Sequence, residues 1–555
     1  MLTVLLIAVM IGQGLSWNEM GMKFITLFPE NIAFYYPVDP VNSLNITAVV
    51  EKATVTVTVQ DSSWSYTTSL TPGKTQNIAL PAEVEEYRFG LTSRTVTITS
   101  SDYIVVQSIS QRGDSVQTNV VQPQKNTGTY FNLPPLNYTQ MISTFLPSMS
   151  NVSKRYSSFR LVIINADLGT GSFKIQKTTT TLNYIIGNGD ALQLQMDGTE
   201  ISVSSNVLAL VMLTHPCVET AECRCNMMLN QVIPKSQFDS VFVVPSIASI
   251  SNAWLHVTSG LTNTSNSLPT LQSNPLFVNT TALASLKLIG PGFIIETIPY
   301  FKFSACYLVH VTSDEAQALV IAETESRNSV YVDGDLLSST QWSDIADSQY
   351  SWVLVPLDDT HVIWHPSTLI AVFVFEKSTN IYEGSAICLS AKPDPLGCAM
   401  FPSRFKIVST HQTWPESHQN CLDVSDELFT PSNKAAHVEM VNFLNGEDVK
   451  DSLWIGLRRS LLTLDWYRQM GKIEHELVYT QWGRGEPRDP VEGMCVSLFP
   501  NSSMGFQWEN MQCCSLLKSL CYTRATYFPL YFSISDSSLS ANSSNNNDHQ
   551  SDGKK

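Results

Sequence analysis

Between residues 17 and 392 apolar and polar positions alternate in short runs. The clearest is Ala53-Thr54-Val55-Thr56-Val57-Thr58-Val59, in which every second side chain is apolar. That period of two is the pattern of a strand with one buried and one solvated face. Turn dipeptides such as Pro72-Gly73, Asn188-Gly189 and Asp333-Gly334 separate the runs. No stretch of this region carries the 3.6-residue spacing of an amphipathic helix. The pattern predicts a long β-rich region of sandwich-like modules, so the fold class is multidomain and mainly β.

A weak internal repeat runs through that region. Thr95–Ser110, Thr199–Thr214 and Thr360–Phe375 each hold a short alternating strand, a polar step and a longer apolar strand. The steps are Ser100-Ser101, Ser204-Ser205 and His365-Pro366. The unequal spacing argues against a regular solenoid and for a hairpin recurring in stacked modules.

The pattern changes after Lys392. Pro393-Asp394-Pro395-Leu396-Gly397 reads as a short, stiff linker. Beyond it, from Cys398 to about residue 523, helical spacing appears. Trp414 and Cys421 fall two helical turns apart, on one face of a first helix. Thr430-Pro431 offers a capping hydroxyl and a first-turn proline for a second helix, with Val438, Val441 and Leu444 as its buried stripe. Trp454-Ile455-Gly456-Leu457 reads as a buried strand, its glycine allowing close approach of another backbone. Residues 524–555 form a polar tail rich in Ser and Asn, of disordered composition.

Composition narrows the setting. The 555 residues carry a formal charge of −16, are 15% charged and 43% hydrophobic, and contain no large Lys/Arg cluster. That is a globular chain without the basic footprint of a nucleic-acid binder. Residues 2–11 are an unbroken apolar run followed by Gly12, Gly14 and Ser16. The run is too short to span a bilayer and predicts a signal peptide over residues 1–16. No later stretch predicts a membrane span. Seven Asn-x-Ser/Thr sequons, at Asn45, Asn137, Asn151, Asn263, Asn279, Asn501 and Asn542, then suggest a secreted glycoprotein. The eleven cysteines read as a disulfide set. Their odd number leaves at least one sulfur free or bonded to another chain, which allows a disulfide-linked oligomer.

Two stretches carry family resemblances. From Trp414 and Cys421, through Trp454-Ile455-Gly456-Leu457, Trp482-Gly483-Arg484-Gly485-Glu486-Pro487, Cys495 and Trp508-Glu509-Asn510, to Cys513 and Cys521, the ladder resembles a C-type lectin domain. The resemblance implies an α+β fold over about 398–523, with Cys421 paired to Cys521 and Cys495 to Cys513. Cys514 is extra and adjacent, and register could make it the partner of Cys495 instead. Cys398 lacks the second cysteine of the stapled hairpin found in longer members, and Cys388 is a partner within reach across the linker. At the other end, Gly21–Asn31 resembles the opening motif of the N-terminal domain of the IgG-Fc-binding protein family. The cysteines near Cys217 and Val243-Val244-Pro245 fit that layout. The family implies an extracellular β-rich binding region over 17–392, with no catalytic residues to carry over.

The lectin resemblance also points to a ligand site. Sugar-binding members hold calcium and sugar with a Glu-Pro-Asn tripeptide, a later Glu and an Asn-Asp pair after Trp. Here Glu486 and Pro487 match, but Arg488 stands at the third position. Glu492 lies near the later Glu, and Glu509-Asn510 follows Trp508. Calcium takes six to eight oxygen ligands, and an arginine supplies none while adding positive charge. The expectation is a ligand-binding region of Glu486, Arg488, Glu492, Glu509 and Asn510. Within it Glu486, Glu492, Glu509 and Asn510 would form at most a weakened Ca²⁺ site.

Other motifs carry less. His215, Cys217, Cys223 and Cys225 imitate a zinc cluster, but in a secreted chain a local disulfide is the better reading. Arg112-Gly113-Asp114 is an integrin-type tripeptide that needs an exposed loop tip. No nucleophile elbow, His-Glu-x-x-His or credible carboxylate pair points to an enzyme. Two classes of function follow. One is a secreted, extracellular recognition protein whose partner is a glycan or glycoprotein. The other is a structural component of mucus or extracellular matrix without sugar binding.

Overall fold

The computed structural model describes residues 17–32, 38–113, 115–136, 159–196, 198–221, 224–246, 253–259, 265–268, 274–290, 293–312, 316–337, 341–377, 381–425, 427–447, 449–470, 473–500 and 505–529. The expected signal peptide and most of the polar tail lie outside these residues. Two compact units result, Met1–Met400 with Tyr527–Lys555, and Phe401–Thr526. Among the described residues both α-helices belong to the second unit. No described helix is long and apolar enough to cross a membrane.

The first unit contains four modules, three organised by one long central strand and the fourth by two successive shorter strands. In the first module this is Val96–Arg112. Its leading half pairs with Gly21–Thr26 and Ala53–Val59, its trailing half with Val41–Ala48 and Ser115–Val120. Ser65–Leu70 and Thr75–Ala79 border these strands. The second module repeats the arrangement around Ile201–Ala221, between Gly128–Leu133 and Gly171–Lys177, then Arg160–Asn165 and Arg224–Val232. The fourth repeats it around His361–Trp364 and Ala371–Lys377. Cys306–His310 and Tyr331–Val332 flank the leading piece, Ala316–Glu323 and Ile381–Ser390 the trailing one.

The three sequence repeats are therefore the central strands of three modules. Their polar steps fall where the strand leaves one pair of neighbours for the other. A strand serving two sheets has to bend there, because side chains that faced solvent in one sheet would face the core in the next. A further copy lies in the third module, around Leu276–Gly290, which pairs with Asp239–Val244, Trp254–Ser259 and Phe293–Glu296. Each core is closed by residues of both halves. In the first module Phe24, Val55, Val57 and Ile98 meet Leu44, Ile46, Ile104 and Val106.

The closing strands Ser115–Val120, Arg224–Val232, Phe293–Glu296 and Ile381–Ser390 pack in a cycle, each on the next and the last on the first. The four modules thus form a closed ring. Cys398 bonds Cys306, with a Cα–Cα distance of 5.6 Å. This corrects the expected partner Cys388, which is a buried free thiol. The reason is strand alternation. Cys388 lies opposite Tyr307 and packs with it in the fourth module's core, and Cys306, the next residue along, faces away. Cys217 is disulfide-bonded; Cys223 and the Cys225 side chain lie outside the described residues.

Charged groups sit between the first two modules. Arg112 donates to Glu85 at 3.0 Å and Arg160 pairs with Glu30. This removes Arg112 from the role of an exposed integrin-type residue; Asp114 is outside the described residues. Glu85 is 7% exposed, and its Oε2 is sealed without a hydrogen-bond partner. Burial pushes its carboxyl up to about 7, with Glu30 adding to the shift and Arg112 opposing it. A folded-state value above the ordinary 4.5 means that the folded chain binds a proton the unfolded chain has released. The stabilisation is present below pH 4.5 and is lost as pH rises through 7. We expect the first unit to lose up to about 3 kcal/mol across that window. Glu85→Gln should flatten the dependence. Thermal unfolding at pH 5 and 7.5 checks this; equal slopes for the two proteins would refute it.

The second unit is a small α+β domain. Helix α1, Trp414–Val424, buries Trp414, Ser417 and Cys421 on one face. The Thr413 amide and hydroxyl both donate to Glu416, at 3.0 and 2.8 Å, closing its first turn. Helix α2, Lys434–Gly446, begins at Asn433, whose side chain accepts from the Ala436 amide at 2.9 Å. The expected cap, Thr430, is instead buried against the Trp454 strand. The buried stripe is also shifted, to His437, Met440 and Leu444, and Val438 is exposed. His437 Nε2–H donates to the Gly505 carbonyl at 2.8 Å, which holds that residue on the buried face. The strand Leu453–Arg459 is central, with Trp454, Ile455 and Leu457 fully buried. A Cβ on Gly456 would stand 2.2 Å from the Leu428 carbonyl oxygen, so glycine is required there. Cys421 bonds Cys521 and Cys495 bonds Cys513; Cys514 is an exposed free thiol.

Candidate functional site

The candidate site lies where the loop 481–494 meets the strand Trp508–Met511. Trp508 anchors the loop. Its amide donates to Gln481 O and its carbonyl accepts from the Gly483 amide, both at 2.9 Å. The chain then turns through a cis Glu486–Pro487 bond, and Asp489 caps a short 3₁₀ turn over Pro490–Glu492.

Arg488 occupies the centre. Its Nε donates to Glu486 Oε1 at 2.7 Å and its Nη1 to Glu492 Oε2 at 3.1 Å. Its main-chain amide donates to Asn510 Oδ1 at 2.7 Å. Glu486 Oε2 accepts from the Asn510 amide at 3.3 Å, and Asn510 Nδ2 donates to Gly493 O at 2.9 Å. Glu486 first, and Glu492 after it, hold the guanidinium above its ordinary value. Four of the five expected residues therefore converge.

Glu509 does not join them. In the strand Trp508–Met511 neighbouring side chains take opposite faces, and Asn510 faces the loop. Glu509 turns the other way and accepts the hydroxyls of Ser452 and Ser497, at 3.1 and 3.2 Å. No motif marked those serines. Gly493 is a further participant. A Cβ there would lie 2.1 Å from the Met511 main chain, so only glycine brings its carbonyl to Asn510. A glycine directly after Glu492 was the available signal.

This donor set does not fit calcium. A calcium ion takes six to eight oxygens. Both Glu486 oxygens and the Asn510 Oδ1 already accept from protein donors. The position between the two carboxylates holds the chain's own cation. The arrangement can present a rigid surface of main-chain and side-chain groups in which the carboxylates need no metal to stay together.

The Lectin C-type domain family model matches residues 410–523. Human IgGFc-binding protein is 22% identical over 387 residues, covering 61% of this chain and 7% of that protein. Human lymphocyte antigen 75 is 28% identical over 119 residues, 21% of this chain and 7% of that protein. The chain thus spans 7% of the length of each. Human lithostathine is 23% identical, with a TM-score of 0.20, over 22% of this chain and 93% of that one. A calcium-independent type II antifreeze protein is 18% identical, with a TM-score of 0.20, over 22% and 88%. Residues 410–523 are a C-type lectin domain, and the chain ahead of them is similar to IgGFc-binding protein.

Proposed function

We propose that this is a secreted recognition protein whose lectin domain binds an extracellular glycan or glycoprotein without calcium. The observation that carries the reading is the Arg488 guanidinium between Glu486 and Glu492. It bridges the two carboxylates, offsets one of their two charges and fixes the loop, part of the work a metal ion would otherwise do. The Arg488 side chain is half-exposed, so solvent screens both ion pairs and they add little to stability. Their value is positional.

Export is supported by the leading apolar run, the sequons and the disulfides of both units. Of the sequon asparagines, Asn279 is exposed, whereas Asn45 lies within a sheet and bonds Gln107 and Asn77. Asn137, Asn151, Asn263, Asn501 and Asn542 lie outside the described residues.

Glycan and glycoprotein arrays, run with calcium and with chelator, test the proposal. Binding is expected in both conditions, and millimolar calcium should leave the unfolding temperature of the wild type unchanged. Arg488→Asn should let calcium raise that temperature slightly, because one repelling charge becomes an oxygen ligand while Glu509 stays turned away. Binding that chelator abolishes would sink the calcium-free reading. No binding to any array would sink recognition by this domain.

A further inference from the structure

The most exposed large apolar side chain among the described residues, Leu462, stands at a hairpin tip of the C-terminal unit. The strands Leu453–Arg459 and Trp466–Met470 pair antiparallel as far as Arg459 opposite Trp466, and residues 460–465 join them. Within that loop Leu461 and Leu462 are 82% and 95% exposed, and Leu464 is 46% exposed. Single exposed leucines are ordinary on a protein surface. Three within four residues make an apolar projection, the kind of surface that meets another body.

The loop satisfies its own main chain. Ser460 Oγ accepts the Leu462 and Thr463 amides, both at 3.2 Å. Ser460 O accepts the Leu464 amide at 3.1 Å, and the Ser460 amide donates to Asp465 O at 2.8 Å. The Asp465 amide donates to Thr463 Oγ1 at 3.4 Å, and Leu464 O accepts from Arg459 Nε. Five of the six amides of the loop thus have partners inside it. A segment that enters hydrocarbon has to meet this condition, because no water is there to take an unpaired N–H or C=O. Leu464 also holds a φ of +61°, a strained conformation for a bulky side chain, where glycine or asparagine would sit at ease.

Charge complements the shape. From Arg458 to Arg468 the hairpin carries three arginines against one aspartate, in a chain of net charge −16. Arg458 donates to Tyr467 Oη, and its guanidinium lies 5.2 Å from the centre of that ring. The Arg459 guanidinium lies 5.3 Å from the centre of the Trp466 ring. Among the described residues neither arginine pairs with a carboxylate, so both charges are available at the base of the loop. Apolar tip, aromatic pair and unpaired guanidiniums thus lie together on one hairpin. A lipid surface offers partners for all three, in acyl chains, interface and phosphates.

We propose that the tip 460–465 docks the lectin domain on a phospholipid surface. Leu461 and Leu462 enter among the acyl chains, and Arg458 and Arg459 meet lipid phosphates. The docking is peripheral and reversible, since a few leucines fall far short of a membrane span. It does not rest on glycan recognition at the Arg488 site. Co-sedimentation of the full-length protein with synthetic vesicles tests it, because such vesicles carry no glycan. Binding is expected to vesicles of phosphatidylcholine mixed with phosphatidylserine, and weaker binding to phosphatidylcholine alone. Leu461→Asp with Leu462→Asp should weaken it about tenfold or more. Leu461→Ile with Leu462→Ile should preserve it, because the apolar area remains. Arg488→Ala should bind as the wild type does. Unfolding temperature checks that each variant folds. The proposal is overturned by no binding, by equal binding to the two vesicle types, by binding that survives the aspartates, or by binding lost in Arg488→Ala. Self-association that the aspartates abolish, without vesicle binding, would give the tip to a second copy of the chain and overturns it as well.

Discussion

Replacing Trp508 by alanine should destabilise the C-terminal unit by about 3–5 kcal/mol. The side chain is fully buried, with its ring edge-on to Tyr479 and Trp482 at centroid distances of 6.0 and 5.7 Å. Its strand carries Asn510, and its main chain holds the loop that carries Arg488. The indole Nε1 is buried without a partner, so removing the ring also removes a cost. That places the loss toward the lower end of the range. Trp508→Phe deletes the unpartnered N–H and keeps most of the ring, and should lose about 1–2 kcal/mol. Calorimetry of the full-length protein, followed on the transition of this unit, gives both values. A loss below 1 kcal/mol for the alanine variant would show that the loop and strand hold without their anchor.

The second large effect concerns the two lectin-domain disulfides. The bond Cys421–Cys521 spans 100 residues and Cys495–Cys513 only 18. Constraining the longer loop removes more freedom from the unfolded chain, about 4.7 against about 3 kcal/mol by the entropic account. Replacing both Cys421 and Cys521 by alanine should therefore cost more than replacing Cys495 and Cys513. It should also cut secretion more. Equal losses, or the reverse order, would mean that native-state packing around the sulfurs outweighs chain entropy here.

Much of this structure was legible because its signals are local. Alternation in Ala53–Val59 needs only a solvent face and a core face to mean a strand, and those faces are present. The repeat was legible through its polar steps, which mark where a strand changes sheets. The copy in Leu276–Gly290 carries no such signal, because its leading half is partly exposed and less apolar. The helix cap was misplaced because Thr430-Pro431 and Ser432-Asn433 both offer a polar cap, and burial of Thr430 decides between them. At the candidate site, residue types announced the loop but not the facing of Glu509, which depends on strand register. The cavity where the four closing strands of the ring meet had no local signal. Gln117, Asn230, Glu296 and Phe373 are far apart in sequence, and each reads alone as an ordinary strand residue.

The bond between Cys306 and Cys398 has a consequence for turnover. It closes a loop of 92 residues containing nearly all of the fourth module and the turn that leads to the lectin domain. A protease that cuts the chain once anywhere inside that loop produces two fragments still joined through sulfur. The lectin domain would then part from the other three modules only after a reductant had opened the bridge. Proteolysis alone separates them only by a cut outside the loop, either ahead of Cys306 or beyond Cys398.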